Sequence, residues 1–370
     1  MKNTSNTHAS NHNTSVVNNQ AAPVAPVYDE IKLGIDQHAD HLRVVRMIDG
    51  SAPQPALRLK PEQLSEYIHR QFKQARLVHS CYEAGPCGFG LHRQLTALGV
   101  RNVVIRPMKL DELGRNVNTD KTDAAALVQR LDRFVRGNKK AFSVVTVPTE
   151  EQEQKRSLSR LRQQLSRERQ RLAAMGRSLL LAQGHRQNDW WKPVAWRVLG
   201  KSLPQWLIDR LTVLRTLALV VDEQLEAVTQ QVQALAPKVR PKGLGSLTLA
   251  SIQNEVFDWN RFQNRKQPAS YTGLCGGVSS SGKSHVDLSI TKQGNPRLRY
   301  LLIELAWRMV RYQPQSSLIR KWKHCLCNPR AHVRQKKRAI VAVARQLSVD
   351  LWRWQTGRIT PEQLGWVMNS

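Results

Sequence analysis

Between residues 31 and 136 the apolar positions fall in short blocks that switch between two periods. "IKLGID" and "LRVVRMI" are compact, β-branched and bounded by polar residues, and predict neighbouring strands, with "PALRLK" as a third. "PEQLSEYIHRQF" has helical spacing and opens on Pro61, a residue suited to the first turn. "ARLVHSCYE" predicts a strand, "FGLHRQLTALG" a helix, "VRNVVIRP" a strand and "TDKTDAAALVQRL" a helix capped by Thr119. The order βββαβαβα implies a mixed α/β sheet.

Further along the period lengthens to seven. Leu158, Leu165, Leu172 and Leu179 form one register, with Leu161 and Met175 interleaved and Glu168 interrupting. Leu214, Val221, Val228 and Leu235 form another, beside Ala218, Leu225 and Val232. Two long helices are expected, packed on each other or on a partner subunit. The segment between them carries Trp190, Trp191, Trp196 and Trp206 among basic residues. Such rings suit core packing, and they also suit stacking on unpaired bases. Past Pro237, "KGLGSLTLASIQNEV" predicts a helix entered through a Gly-x-Gly turn near Ser246, able to offer backbone N–H groups to a phosphate. In "RAHVRQKKRAIVAVARQLSVDLWRW", Val333, Ile340, Val343, Leu347 and Leu351 share a helical face with Arg and Lys opposite. The chain therefore divides into a disordered polar tail (1–28), an α/β domain (29–146), a helical coiled-coil region (147–238) and a mostly α C-terminal domain (239–370).

Charge narrows the partner. Fifty-seven Lys and Arg against 28 Asp and Glu give a net charge of +29 over 370 residues, which calls for a polyanion, and nucleic acid leads. No apolar run approaches the roughly 20 residues that span a bilayer, and the polar N-terminus has no signal-peptide core, so a membrane role is not expected. Five scattered cysteines, Cys81, Cys87, Cys275, Cys325 and Cys327, fit a reducing cytoplasm. "HCLC" at 324–327 lacks the second pair a zinc site needs, and is read as buried thiols.

In so basic a chain, carboxylates at the ends of apolar strands need a reason, because burying an uncompensated charge costs several kcal/mol, roughly. Asp36 ends the first strand and Glu83 the one after the first helix, while Asp120 and Asp123 stand one turn apart in "NTDKTDAAAL". Together they make an oxygen-rich set suited to Mg²⁺; Asp120 and Asp123 alone also suit a helix N-terminus. "GVSSSGKS" (277–284) matches every specified position of a nucleotide-binding P-loop. Its flanks do not: no buried strand feeds it, "HVDLSI" follows where a helix should start, and the next helix opens only at Asn295 and Pro296. A serine-rich loop among Lys283, Lys292, Arg297 and Arg299 suits a hydroxyl beside a phosphodiester, or a surface contact to phosphates.

"GID", "YEAGPCGFGLHRQL" and "KTDAAAL", in that order, resemble the DEDD domain of the transposases typified by insertion sequence one-hundred-and-ten, and "YTGLCGGVSSSGKSHVDLSITKQGNPRLR" is similar to their C-terminal "GL...SG...K.GN..LR" signature. The chain has "CGG" where a proline is common, and offers Ser279 and Ser280 beside the serine before the glycine. The resemblance implies an RNase H-like (RuvC-like) N-terminal domain in which Asp36, Glu83, Asp120 and Asp123 hold Mg²⁺, and a C-terminal serine domain with Ser281 as nucleophile. It implies a site-specific recombinase that moves its own element, binds the element ends and the target DNA, is guided by a structured non-coding bridge RNA, and works as a dimer or tetramer. Two rival functions stay open: a RuvC-like metal-dependent nuclease or Holliday-junction resolvase without a serine nucleophile, and a non-catalytic nucleic-acid-binding protein.

Overall fold

The structure, a computed structural model, describes residues 27–107, 120–281 and 284–369. The polar tail lies outside the described residues up to 26, and its expected last residue, Tyr28, already begins the first strand. The chain divides into two compact units, Met1–Val147 and Pro148–Ser370.

The first unit carries β1 (Tyr28–Gln37), β2 (Leu42–Ile48), β3 (Leu57–Leu59), α1 (Leu64–Phe72), β4 (Ala75–Glu83), α2 (Gly90–Ala97), β5 (Arg101–Ile105) and α3 (Asp120–Val135). A single 3₁₀ turn at Pro61–Gln63 leads into α1, so the proline serves that turn and not the α-helix itself. The five strands form one sheet in the order β3-β2-β1-β4-β5. β1 pairs antiparallel with β2 and parallel with β4, and β4 pairs parallel with β5.

Strand alternation assigns the faces. Ile31, Leu33 and Ile35 of β1 join the core that α1 and α2 cover through Leu64, Ile68, Leu91 and Leu95. Lys32, Gly34 and Asp36 therefore face the other way, toward α3, whose Ala124 and Val128 pack with Val45 and Met47 of β2 and whose Leu127 and Leu131 pack on Cys81 of β4. A central strand buried on both faces reads as a near-continuous apolar run, as β1 does.

The second unit begins with α4 (Glu150–Ala182), α5 (Pro193–Leu199) and α6 (Gln205–Ala234). Thr149 caps α4, its hydroxyl accepting from the Gln152 N–H while the Gln152 side chain returns to the Thr149 N–H, a reciprocal box that fixes the helix start. Arg162 reaches Thr229 and Arg169 reaches Asp222, so α4 and α6 run antiparallel as a hairpin within one chain. Trp190 lies fully buried against the only residue type that admits it: a Cβ on Gly176 would meet its ring at 2.1 Å. Its indole N–H donates to Ala173 O (3.0 Å), and that of Trp191 to Asp222 (2.8 Å). Those two rings are core, and base stacking by them is excluded.

Then follow β6 (Arg240–Pro241), α7 (Ser246–Val256), α8 (Lys266–Tyr271), β7 (Gly276–Ser281), β8 (Ser284–Ile290), α9 (Pro296–Tyr312), α10 (Ser317–Leu326), α11 (Val333–Gln355) and β9 (Met368–Asn369). β6 pairs with β9, and β7 with β8. One core joins Leu249 and Ile252 of α7, Leu302 and Leu305 of α9, Ile319 of α10 and Val343 and Leu347 of α11. Val228 and Val232 of α6 pack with Ala250 of α7 and with Leu158 and Leu165 of α4, which ties the helical hairpin to the C-terminal elements in a single unit. Cys325 joins the core but Cys327 is exposed, so only one thiol of "HCLC" is buried. No helix among the described residues is long and apolar enough to cross a membrane.

Candidate functional site

The carboxylates of the first unit are placed by the register of α3 on β1. Lys32 Nζ lies 2.9 Å from Asp132 and also bonds Glu30. Two residues on, a Cβ at Gly34 would fall 2.3 Å from Ala124 O and 2.6 Å from Val128 N. As β1 ascends, α3 descends, so the two run antiparallel at van der Waals distance. From Lys32 to Asp36 the strand advances roughly 13 Å. Eight or nine helical residues back from Asp132 cover about the same distance. Asp36 thus stands abreast of the turn that carries Asp123.

Glu83 comes to the same end by another route. Cys81 Sγ donates to Leu127 O of α3 (3.5 Å), so β4 turns residues 81 and 83 to the α3 face. The parallel register pairs Ile35 with Tyr82, which puts Asp36 and Glu83 on the next rung of adjacent strands. Strands lie about 4.8 Å apart. Burial pushes the Cys81 thiol up, with the Glu83 charge as the second cause. Asp36 Oδ2 lies 3.0 Å from His38 Nε2, and the His38 ring stacks on His41 with centroids 4.5 Å apart. Asp120 is the first residue of α3, one turn before Asp123; its side chain and Thr119 lie outside the described residues.

Asp36, Glu83 and the Asp123 turn are therefore brought to one edge, the carboxyl ends of parallel strands beneath a helix start. Among the described residues no three His, Cys, Asp or Glu side chains close into a metal cage. The donors present fit a hard cation of the Mg²⁺ kind all the same, since that ion is held by one or two carboxylates with substrate phosphate oxygens and waters completing its shell.

In the second unit the serine stretch is a strand. Ser279, Ser280 and Ser281 close β7 and pair with Val286, His285 and Ser284 of β8, with an irregularity between Gly276 and Val278. A P-loop needs a helix after its glycine-lysine turn, and here a second strand follows. The expectation of a loop is corrected, since 276–281 is held as a strand by its pairing with β8, whereas no buried strand precedes it, as its flanks predicted. Val278, Val286 and Leu288 are all more than half exposed, so the hairpin projects from the core. Gly282 and Lys283 lie outside the described residues.

The hairpin is held at its base by a dense polar knot. Gly294 packs so closely that a Cβ would sit 2.5 Å from Tyr271 O and 2.6 Å from Gly273 N, while Gly273 itself takes a φ of 67°. Asn295 caps α9 by accepting from the Arg297 and Leu298 N–H groups, as "GNPRLR" predicts. Its amide donates to Glu255 Oε2 (2.8 Å). Glu255, 2% exposed, receives two bonds from Arg160 of α4 at 2.9 and 3.0 Å. Burial alone would raise that carboxyl, but the hydrogen bonds from Arg160 and Asn295 and the nearby positive charges outweigh it and hold the group below the usual glutamate range.

The predicted basic residues separate into roles. Arg299 donates to Thr272 O (2.9 Å) and Lys292 O (3.2 Å), clamping both strands' bases, and Arg297 Nε donates to Gln163 Oε1 (2.9 Å). Arg297 also lines a cleft of about 470 Å³ with Arg162 and Arg167 of α4, a set of three guanidinium groups suited to phosphate. Lys292 is exposed. Sequence reasoning missed Lys32 and Glu255. Each is a charge in a mainly apolar segment, "IKLGID" and "LTLASIQNEV", the same signal that singled out Asp36.

A family model described as Transposase, IS116/IS110/IS902 family, matches residues 240–319, the stretch that holds the serine hairpin and its knot. The chain is 32% identical over 308 residues to "Putative transposase y4rJ" of Sinorhizobium fredii, covering 76% of this chain and 77% of that protein. It is 26% identical over 306 residues to the transposase for insertion sequence element IS1111A of Coxiella burnetii, with 77% and 80% covered. It is 25% identical over 307 residues to the transposase for element IS1533 of Leptospira borgpetersenii, with 75% and 85% covered.

Proposed function

The chain belongs to the IS116/IS110/IS902 family of transposases, enzymes of DNA cleavage and joining, and from that premise we propose that it mobilises an insertion sequence by Mg²⁺-assisted serine attack on DNA. The observation that carries the acidic half is the convergence of Asp36, Glu83 and the Asp123 turn at one sheet edge. The mixed sheet and this placement support an RNase H-like (RuvC-like) reading of the first unit.

Asp36, Glu83, Asp120 and Asp123 would hold the magnesium ion. When bound, it neutralises charge on the phosphoryl oxygens and eases deprotonation of a hydroxyl. Ser281 Oγ forms a bond to the scissile phosphorus, its proton passes to a base or to solvent, and the bond from phosphorus to the leaving deoxyribose oxygen breaks. A phosphoserine-linked strand results, and a hydroxyl of the recombining strand reverses the step without further energy input. The net charge of +29 supports a nucleic-acid partner, read as the DNA of element ends and target with a structured non-coding RNA as guide. An outward stripe of Val213, Leu217 and Val220 on α6, spaced at i, i+4 and i+7, supports assembly as a homo-oligomer.

The test is to trap the protein on a DNA substrate carrying its element ends and resolve the adduct by denaturing gel. Ser281→Ala loses the covalent species while Ser279→Ala and Ser280→Ala keep it, and Asp36→Ala stops cleavage with DNA binding intact. Cleavage that survives all three serine changes without an adduct would establish instead the metal-dependent nuclease or junction resolvase.

A further inference from the structure

A cavity of about 1140 Å³ lies between α8, α10 and α11 of the second unit. Its charged lining is lopsided: Arg265, Lys266, Lys321, Arg345, Arg353 and Arg358 against the single acid Asp350. That volume exceeds the usual range for a drug-sized ligand. It is far too small to enclose a duplex.

Charge alone would make this a phosphate-binding surface, and the aromatic part of the lining adds more. Trp352, 5% exposed, lines the cavity as well, its indole Nε1–H buried from solvent and without a hydrogen-bond partner among the described residues. Arg358 lies over the Trp352 ring at 4.4 Å, which fixes the indole plane. Asp350, 4% exposed, accepts from Gln346 Nε2 at 2.9 Å and adds an acceptor to the same wall. Trp322 of α10, half-buried, completes the lining with an aromatic surface.

We propose that this cavity binds an unpaired nucleotide of a nucleic-acid chain, its base against the Trp322 ring and its flanking phosphates on the arginines and lysines of the lining. A base still stacked in a duplex cannot lay its face on an aromatic ring inside a cavity, whereas an unstacked one can. The flanking cations pay no heed to sequence, and an aromatic face takes any base, so the cavity grips a strand and does not read a site. The assignment rests on nucleic acid being the ligand of the chain and on neither the serine nor the metal. The unpaired strand has two sources in such a reaction, DNA opened at the element junction or a single-stranded loop of an RNA.

The experiment is fluorescence anisotropy with the intact chain and labelled oligonucleotides of one sequence as single-stranded DNA, single-stranded RNA and duplex DNA. Trp322→Ala should weaken single-strand binding about tenfold, the worth of one stacked base, and change duplex binding less than about twofold. Trp322→Phe should restore most of the loss. Arg345→Gln, at an exposed rim position, should weaken single-strand binding and flatten its salt dependence by about one phosphate contact. A larger loss on the DNA strand assigns the opened junction, and a larger loss on RNA assigns a guide; either upholds the cavity. Equal loss on duplex and single strand, or none with Trp322→Ala and Arg345→Gln, overturns it. Wild-type protein that binds no nucleic acid in any arm overturns the transposase reading itself, a different failure.

Discussion

Gly34 decides how closely α3 approaches β1. Any side chain there meets Ala124 O and Val128 N well inside contact distance, and both are backbone atoms of a helix that cannot yield locally. Gly34→Ala should therefore destabilise the first unit by about 1–3 kcal/mol, the usual penalty of overpacking, read as a fall in the urea midpoint. The same change should lower cleavage further than the stability loss explains, because Asp36 and Asp123 are aligned by that packing. Glu255 makes the corresponding argument in the second unit. Its folded pKa is depressed, so its contribution is present above the unfolded glutamate value and disappears as pH falls through the folded one. Thermal stability of the second unit should fall on acidification below the ordinary glutamate range, and Glu255→Gln should lose that dependence while unfolding earlier at neutral pH. Removing one partner of a buried pair costs about 3–5 kcal/mol, and Arg160, only partly buried, puts this case toward the low end. Neither pairing was legible in the sequence. Glu255 and Arg160 are 95 positions apart, and nothing local says which cation a buried acid will find.

Elements were legible where a local signal sets both their content and their ends. β2 and β4 occupy Leu42–Ile48 and Ala75–Glu83, the stretches their β-branched blocks mark, and α9 starts where Asn295 and Pro296 place a cap and a first turn. The serine strand was not legible, because "GVSSSGKS" has neither apolar alternation nor a buried face and is held straight only by pairing with β8. The heptads predicted two helices but left the partner open; ion pairs and hydrogen bonds across α4 and α6 join them within the chain. Gly176 is the element-scale weak point, for it sits mid-helix, where glycine is normally unfavourable, solely to admit Trp190. Gly176→Ala should raise helix propensity yet destabilise the hairpin by about 1–3 kcal/mol, seen as a lower melting temperature by circular dichroism. Leu217→Lys tests the outward stripe: half-exposed in the single chain, it should leave stability within about 0.5 kcal/mol and reduce self-association in sedimentation if that face meets a second copy.

At the scale of the whole chain, charge outweighs any single contact. A surplus of 29 cations repels itself, and that repulsion is relieved only when a polyanion is bound, so free protein should be most soluble and most stable at moderate salt while its complexes are tightest at low salt. Counterion release fixes the size of the second effect. Each phosphate neutralised lowers the slope of log affinity against log salt by about 0.9 on duplex DNA and about 0.7 on a single strand. The three guanidinium groups beside α9 and the six cations around the α10–α11 cavity are enough for about 6–9 phosphate contacts, which predicts a loss of about 10² to 10⁴ in single-stranded DNA affinity between 50 and 200 mM salt. A titration over that interval checks the count directly. Arg162→Gln and Arg345→Gln, taken from different clusters, should each reduce the slope by about one and together by about two, since separated phosphate contacts add. A slope unchanged by both would mean that the strand runs over other parts of the basic surface, and would remove the two clefts from the binding path together.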